Sequence, residues 1–143
     1  MKGSYDTDFS EWAFNQAALL REGKLSELDL ENVLEELESM GKNDQRGYIS
    51  SFKNLFSHLL KWKFQSQFRS SSWANTIKRS RLEITDWEEE NTSFIPKRDD
   101  FMEKAYKKAK REASSETGLP ESLFPTDLPW EYETFMNESF FPE

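Results

Sequence analysis

His58 is the single histidine in 143 residues, and the chain has no cysteine. Asp29, Glu35, Glu36 and Glu38 precede it. Carboxylates facing a histidine between helices are the raw material of a bundle metal centre. Such centres use two Glu-x-x-His pairs or several histidines, whereas Leu55 stands three residues before His58. A metal or small molecule at Glu35, Glu38 and His58 is therefore the weaker reading, and no metal or other cofactor is expected. The simpler reading is a helical histidine hydrogen-bonded to a carboxylate, for instance one from residues 35–38, and pH-sensitive near neutrality. Without thiols there is no disulfide framework, thiolate zinc site or cysteine nucleophile. One histidine also excludes the HExxH hydrolase motif. The serines 70–72 lack a GxSxG context, and five scattered glycines build no phosphate loop. Among 27 acidic residues, carboxylate pairs arise by chance, so spacing selects no catalytic residue and the chain leans away from being an enzyme.

The second constellation is basic. The formal charge of −8 hides alternating blocks: residues 1–47 carry −6, 48–82 carry +7, 83–96 carry −5, 97–113 carry +3 and 114–143 carry −7. The +7 block holds Lys53, Lys61, Lys63, Arg69, Lys78, Arg79 and Arg81, interleaved with Trp62, Phe64 and Trp73. Cations among aromatics suit a nucleic-acid surface. Against it, the aromatics recur at helical spacing, and an overall pI of 4.8 opposes non-specific binding to a polyanion. The preferred reading is that these cations face the acidic segment 29–40 and the acidic tail within the fold.

Helices must position these groups. The segment 8–22 carries Phe9, Trp12, Ala13, Gln16 and Leu20 near one face, with Asp8 and Glu11 as a capping-box-like start and Gly23 as its stop. Segment 29–40 has the stripe Leu30, Val33, Leu34, Leu37 and Met40, and Gly41 is expected to break or kink it. A helix over 43–68 has a broad stripe from Tyr48 to Phe64, as expected of a central element. Further helices are expected over 72–90, with Trp73, Ile77, Ile84 and Trp87, and over 97–115, with Phe101, Ala105, Tyr106, Ala109 and Ala113 inward. The tail holds four of the five prolines and six aromatics, among them Phe124, Trp130 and Phe135. It is expected to wrap the bundle, with a short helix over 129–137. No period-2 run of β-branched residues appears. The expected fold is all-α: one domain over 1–143, a bundle of four to five helices with a Pro/aromatic-rich C-terminal tail packed on it. An aromatic fraction of 15% lets a chain of mean hydropathy −0.86 form a core.

The ordered set LR-x-G (19–23 region), LDLEN-x-x-EE-x-E, HLLKW and W-x-x-x-I resembles the bacterial family called domain of unknown function 29, over about residues 5–142. The family pattern maps onto Trp12, Leu20, Arg21, Gly23, Asp29, Asn32, Glu35, Glu36, Glu38, His58, Leu59, Leu60, Lys61, Trp62, Trp73, Ile77, Arg81 and Ile84. Where the family often opens a helix with Pro-Ser-Leu, this chain reads NTSFIPK. The resemblance implies a small all-helical protein and no activity, substrate or cofactor. It draws attention to Arg21, Glu35, Glu36, Glu38, His58, Lys61 and Arg81 as one polar cluster, either a charge network crosslinking helices or a ligand pocket.

No apolar run approaches the roughly 18 residues of a membrane span, and the start MKGSYDTDFSEW has no apolar signal-peptide core. A cytoplasmic location follows as an expectation. The expected role is a non-enzymatic interaction or regulatory module, as a homodimer or docked to a partner protein, with nucleic-acid-associated regulation through 53–81 as the alternative.

Overall fold

The computed structural model describes residues 3–143. Among them are six α-helices and no strand: α1 Gly3–Thr7, α2 Phe9–Arg21, α3 Leu30–Phe64, α4 Ser71–Glu90, α5 Arg98–Thr117 and α6 Tyr132–Phe135. The fold is an all-α bundle. Short 3-10 turns, Ser66–Phe68 and Thr92–Lys97, link α3 to α4 and α4 to α5.

The chain gathers into two compact units, residues 1–44 and 45–143. Trp12 is the one buried hydrophobic side chain of the first unit among the described residues. One expectation is corrected: the break at Gly41 is absent, and α3 runs unbroken for 35 residues. A helix-interior glycine costs about 1 kcal/mol against alanine. A break would instead create two new helix ends, each with up to four unpaired backbone groups. With no proline nearby, the helix carries the glycine. Residues 30–44 of α3 belong to the first unit and 45–64 to the second.

In the first unit, the Asp8 side chain caps α2 by accepting from Glu11 N at 3.0 Å. Phe9 and Leu20, expected inward, are each 50% exposed. In the second unit, α3 presents Tyr48, Phe52, Leu55, Phe56, Leu59 and Leu60, all fully buried. Onto them pack Ile77 and Ile84 of α4, then Phe101, Ala105, Tyr106, Ala109 and Ala113 of α5. The alanines let the α5 backbone come close. Gly47 does the same for α4: a Cβ there would lie 2.4 Å from Trp87 Cζ2. The tail closes this core. Phe124 and Phe135 are buried, and Phe135 meets Phe56 edge-on with ring centroids 4.9 Å apart. Its helix α6 is a single turn, shorter than expected, because the carbonyls after it bind Arg81 rather than continuing a ladder.

Candidate functional site

The first unit is organised around Asp29. Trp12 and Gln16, four residues apart on α2, face it. The Asp29 carboxylate accepts from Trp12 Nε1 at 3.1 Å and from Asn32 Nδ2 at 2.8 Å, while its backbone N–H donates to Gln16 Oε1 at 2.8 Å. Its carbonyl accepts from Val33 N, the first turn of α3. One turn on, Glu36 accepts from the Tyr5 hydroxyl, and Tyr5 packs edge-on against Trp12. That hydrogen bond, with the negative charge behind it, pushes the Tyr5 phenol up to about 12. Asn32 and Glu36 thus tie one face of α3 to α1 and α2. Leu30, Leu34, Leu37 and Met40 lie on another face, and each is between 58% and 65% exposed. Of the expected stripe, Val33 is half-buried and the other four residues form a surface row.

The second unit holds a buried polar centre that sequence reasoning missed. The Glu88 carboxylate takes both arms of the Arg98 fork, at 2.7 and 2.9 Å, and the hydroxyls of Tyr48 at 2.5 Å and Tyr132 at 3.0 Å. The guanidinium lies 3.6 Å from the Tyr132 ring centroid. Burial pushes the Glu88 carboxyl up, but hydrogen bonds from Arg98, Tyr48 and Tyr132 more than offset this and hold it below the usual carboxylate range. Tyr132 is pushed up to about 12 by burial and by its bond to Glu88. Both oxygens of the carboxylate are satisfied by donors from α3, α5 and α6, which crosslinks those helices to α4. A signal was present: Ile77, Arg81, Ile84 and Glu88 fall in one buried row of α4, so two charges stand where apolar residues belong.

Arg81 is the other charge in that row. Its guanidinium donates to the carbonyls of Phe135 at 2.7 Å, Glu138 at 3.3 Å and Phe140 at 2.6 Å, pinning the tail. Arg69 does likewise, to Trp62 O at 2.7 Å and Pro142 O at 3.3 Å. Lys61, almost fully buried, meets Glu116 at 2.5 Å and lies 5.3 Å from the Trp73 ring. Lys53 meets Glu112 at 3.6 Å, and Arg79 meets Glu83 at 3.7 Å. Partners were expected on 29–40 and on the acidic side chains of the tail. The observed ones are carboxylates of α4 and α5, carbonyl oxygens of the tail and, for Arg69, the Trp62 carbonyl of α3. Lys63 lies 5.8 Å from the Phe64 ring, and Lys78 is exposed.

His58 Nδ1 sits 2.8 Å from the Asn54 carbonyl, one turn back on its own helix, instead of meeting a carboxylate. Burial first, then the Lys61 charge, lowers its pKa below the ordinary histidine value. Of the residues considered as one polar cluster, Arg21, Glu35, Glu36 and Glu38 belong to the first unit and His58, Lys61 and Arg81 to the second. Glu36, His58, Lys61 and Arg81 each bond within their own unit, while Arg21, Glu35 and Glu38 are exposed. Among the described residues, no three His, Asp or Glu side chains are gathered to hold a metal ion. No helix there is long and apolar enough to cross a membrane.

The family model for the domain of unknown function DUF29 matches residues 4–141. The chain belongs to that family. The match takes in both units of this DUF29 chain, from the Tyr5–Glu36 contact to the Phe141 ring packed on Trp62. Neither the curated proteins nor the solved structures give a match. The family's description names no reaction, so function has to be argued from the DUF29 side chains themselves.

Proposed function

We propose that this DUF29 chain is a non-enzymatic protein-interaction module that docks through the exposed face of α3 in its first unit. The observation that carries this reading is the row Leu30, Leu34, Leu37 and Met40. Four large apolar side chains at helical spacing remain mostly in water while the same helix buries every large apolar residue from Phe52 to Leu60. Scattered exposed apolar residues are ordinary; a contiguous row on one helix face marks a surface that associates. Covering such a row releases about 25 cal/mol for each Å² of apolar surface removed from water. The buried charges fit the same reading. Glu88, Arg98, Lys61 and Arg81 are engaged in holding helices and tail together, which leaves them no free valence for turning over a substrate.

The test is affinity capture from the native host with the wild-type chain and with the double variant Leu34→Glu and Leu37→Glu. Both positions are exposed, so the fold should survive, as helicity by circular dichroism will report. Proteins recovered with the wild type should be lost from the double variant. Equal recovery from both sinks the reading.

A further inference from the structure

We propose that a cleft in the second unit, between α4 and the tail, binds a small amphiphilic monocarboxylate. The cleft has a volume of about 540 Å³, within the roughly 300–1,000 Å³ of small-molecule sites. One wall is α4: Lys78, with Arg81 and Leu82 three and four residues on, shares one helix face with them. The other wall is the tail, through Met136, Glu138 and Ser139.

The charge on Arg81 calls for an anion. Arg81 is 5% exposed, and a guanidinium stays protonated in a protein. It donates to the carbonyls of Phe135, Glu138 and Phe140, and it lies 5.6 Å from the Phe141 ring centroid. Those groups satisfy hydrogen bonds but offer dipoles, not a full negative charge. Other buried charges of this unit are matched: Arg98 by Glu88, and Lys61 by Glu116. Among the described residues Arg81 forms no ion pair with a carboxylate, and neither does Lys78. Burial lowers the Arg81 pKa, and the Glu138 charge opposes this without reaching ion-pair contact. A buried charge without a counter-charge is costly, and an anion set beside it offsets that cost.

The lining also selects the kind of anion. Lys78 and Arg81 carry +2 and Glu138 carries −1, so the excess of +1 is neutralised by a monoanion. Leu82, 67% exposed, and the half-buried Met136 border the same cleft and give an apolar body surface to cover. The exposed Lys78 grips the carboxylate through a charge-assisted hydrogen bond, while Arg81 attracts it from the buried side. Glu138, exposed at the rim, repels it. The site holds its ligand without reacting with it.

Octanoate is the probe, titrated to about 10 mM against the full chain by calorimetry and by amide NMR shifts. The expected result is saturable one-to-one binding at about 0.1–5 mM, the range open to a ligand of about ten heavy atoms. Shifts should fall on residues 78–85 and 136–139. Lys78→Gln should weaken binding about tenfold, the worth of one charge-assisted hydrogen bond, and 1-octanol, which lacks the charge, should bind weaker than octanoate by at least about the same factor. Glu138→Gln should tighten it about threefold by removing a repulsive charge. Both positions are exposed, so helicity should not change. Absence of saturable binding, 1-octanol binding as well as octanoate, or Lys78→Gln without effect overturns the proposal. So do shifts confined to Leu30–Met40, or a Glu138→Gln variant that binds more weakly than the wild type.

Discussion

Glu88 shows how a residue can be charged, buried and still structural. Its carboxylate receives four hydrogen bonds from Arg98, Tyr48 and Tyr132, and the side chain is only 10% exposed. Removing one partner of such a pair leaves the other buried and uncompensated, a loss of about 3 kcal/mol at the lower end for buried pairs. Glu88→Gln should therefore lower stability to urea by about that amount at pH 7. The pH dependence has a definite sign. The folded pKa lies below the ordinary value of 4.5, so the stabilisation is complete above that value and is lost as pH falls through the folded pKa. The gap between wild type and Glu88→Gln should then narrow in acid, and a gap that persists unchanged at pH 3 would show that ionisation of Glu88 is not its source. The partners of Glu88 lie 40, 10 and 44 residues away, beyond any local pattern. Its place in the Ile77–Arg81–Ile84 row was the legible part, because a charge at a core position demands a partner.

At the scale of elements, α3 separates what spacing can and cannot tell. Periodicity identified the helical face from Tyr48 to Phe64 because every apolar residue there is packed by α4, α5 and the tail. Over Leu30 to Met40 the same periodicity suggested core, yet the row is exposed: spacing gives a face, not what covers it. The glycines pose the same problem. Gly41 and Gly47 look alike in the sequence, but only Gly47 has a neighbour pressed against it. Alanine should accordingly act in opposite directions on one helix. Gly41→Ala should stabilise the chain at low concentration by about 0.5–1 kcal/mol, the usual helix-interior gain. Gly47→Ala must displace Trp87 and should destabilise by about 1–3 kcal/mol, as overpacking does. Thermal melts of dilute protein followed by circular dichroism check both, and shifts of the same sign would refute the assignment. The extent of α6 was not legible because Arg81 takes its carbonyls from 54 to 59 residues away.

For the molecule as a whole, the alternating charge blocks decide what the +7 segment is free to do. Binding a polyanion gains its affinity from releasing counterions, roughly one for each phosphate neutralised by an available cation. Here Lys61 and Lys53 already face Glu116 and Glu112, Arg79 faces Glu83, and Arg69 and Arg81 are turned toward backbone carbonyls near the tail. Lys63 and Lys78 are left without a carboxylate partner among the described residues. Two such lysines on a chain of net −8 would contribute a salt dependence of about two counterions, against the six to ten of a protein that grips DNA. The block was legible as basic in the sequence, but its occupancy was not, since each partner comes from a different helix or from the tail's main chain. The expected outcome is that neither duplex DNA nor single-stranded RNA shifts in a mobility assay at about 20 mM salt, where the Debye length of some 20 Å favours binding most. Removing Lys63 and Lys78 together should leave that result unchanged. A shift at low salt that disappears with Lys63→Ala and Lys78→Ala would instead return the basic segment to the surface as a nucleic-acid site and weaken the case that α3 carries the function.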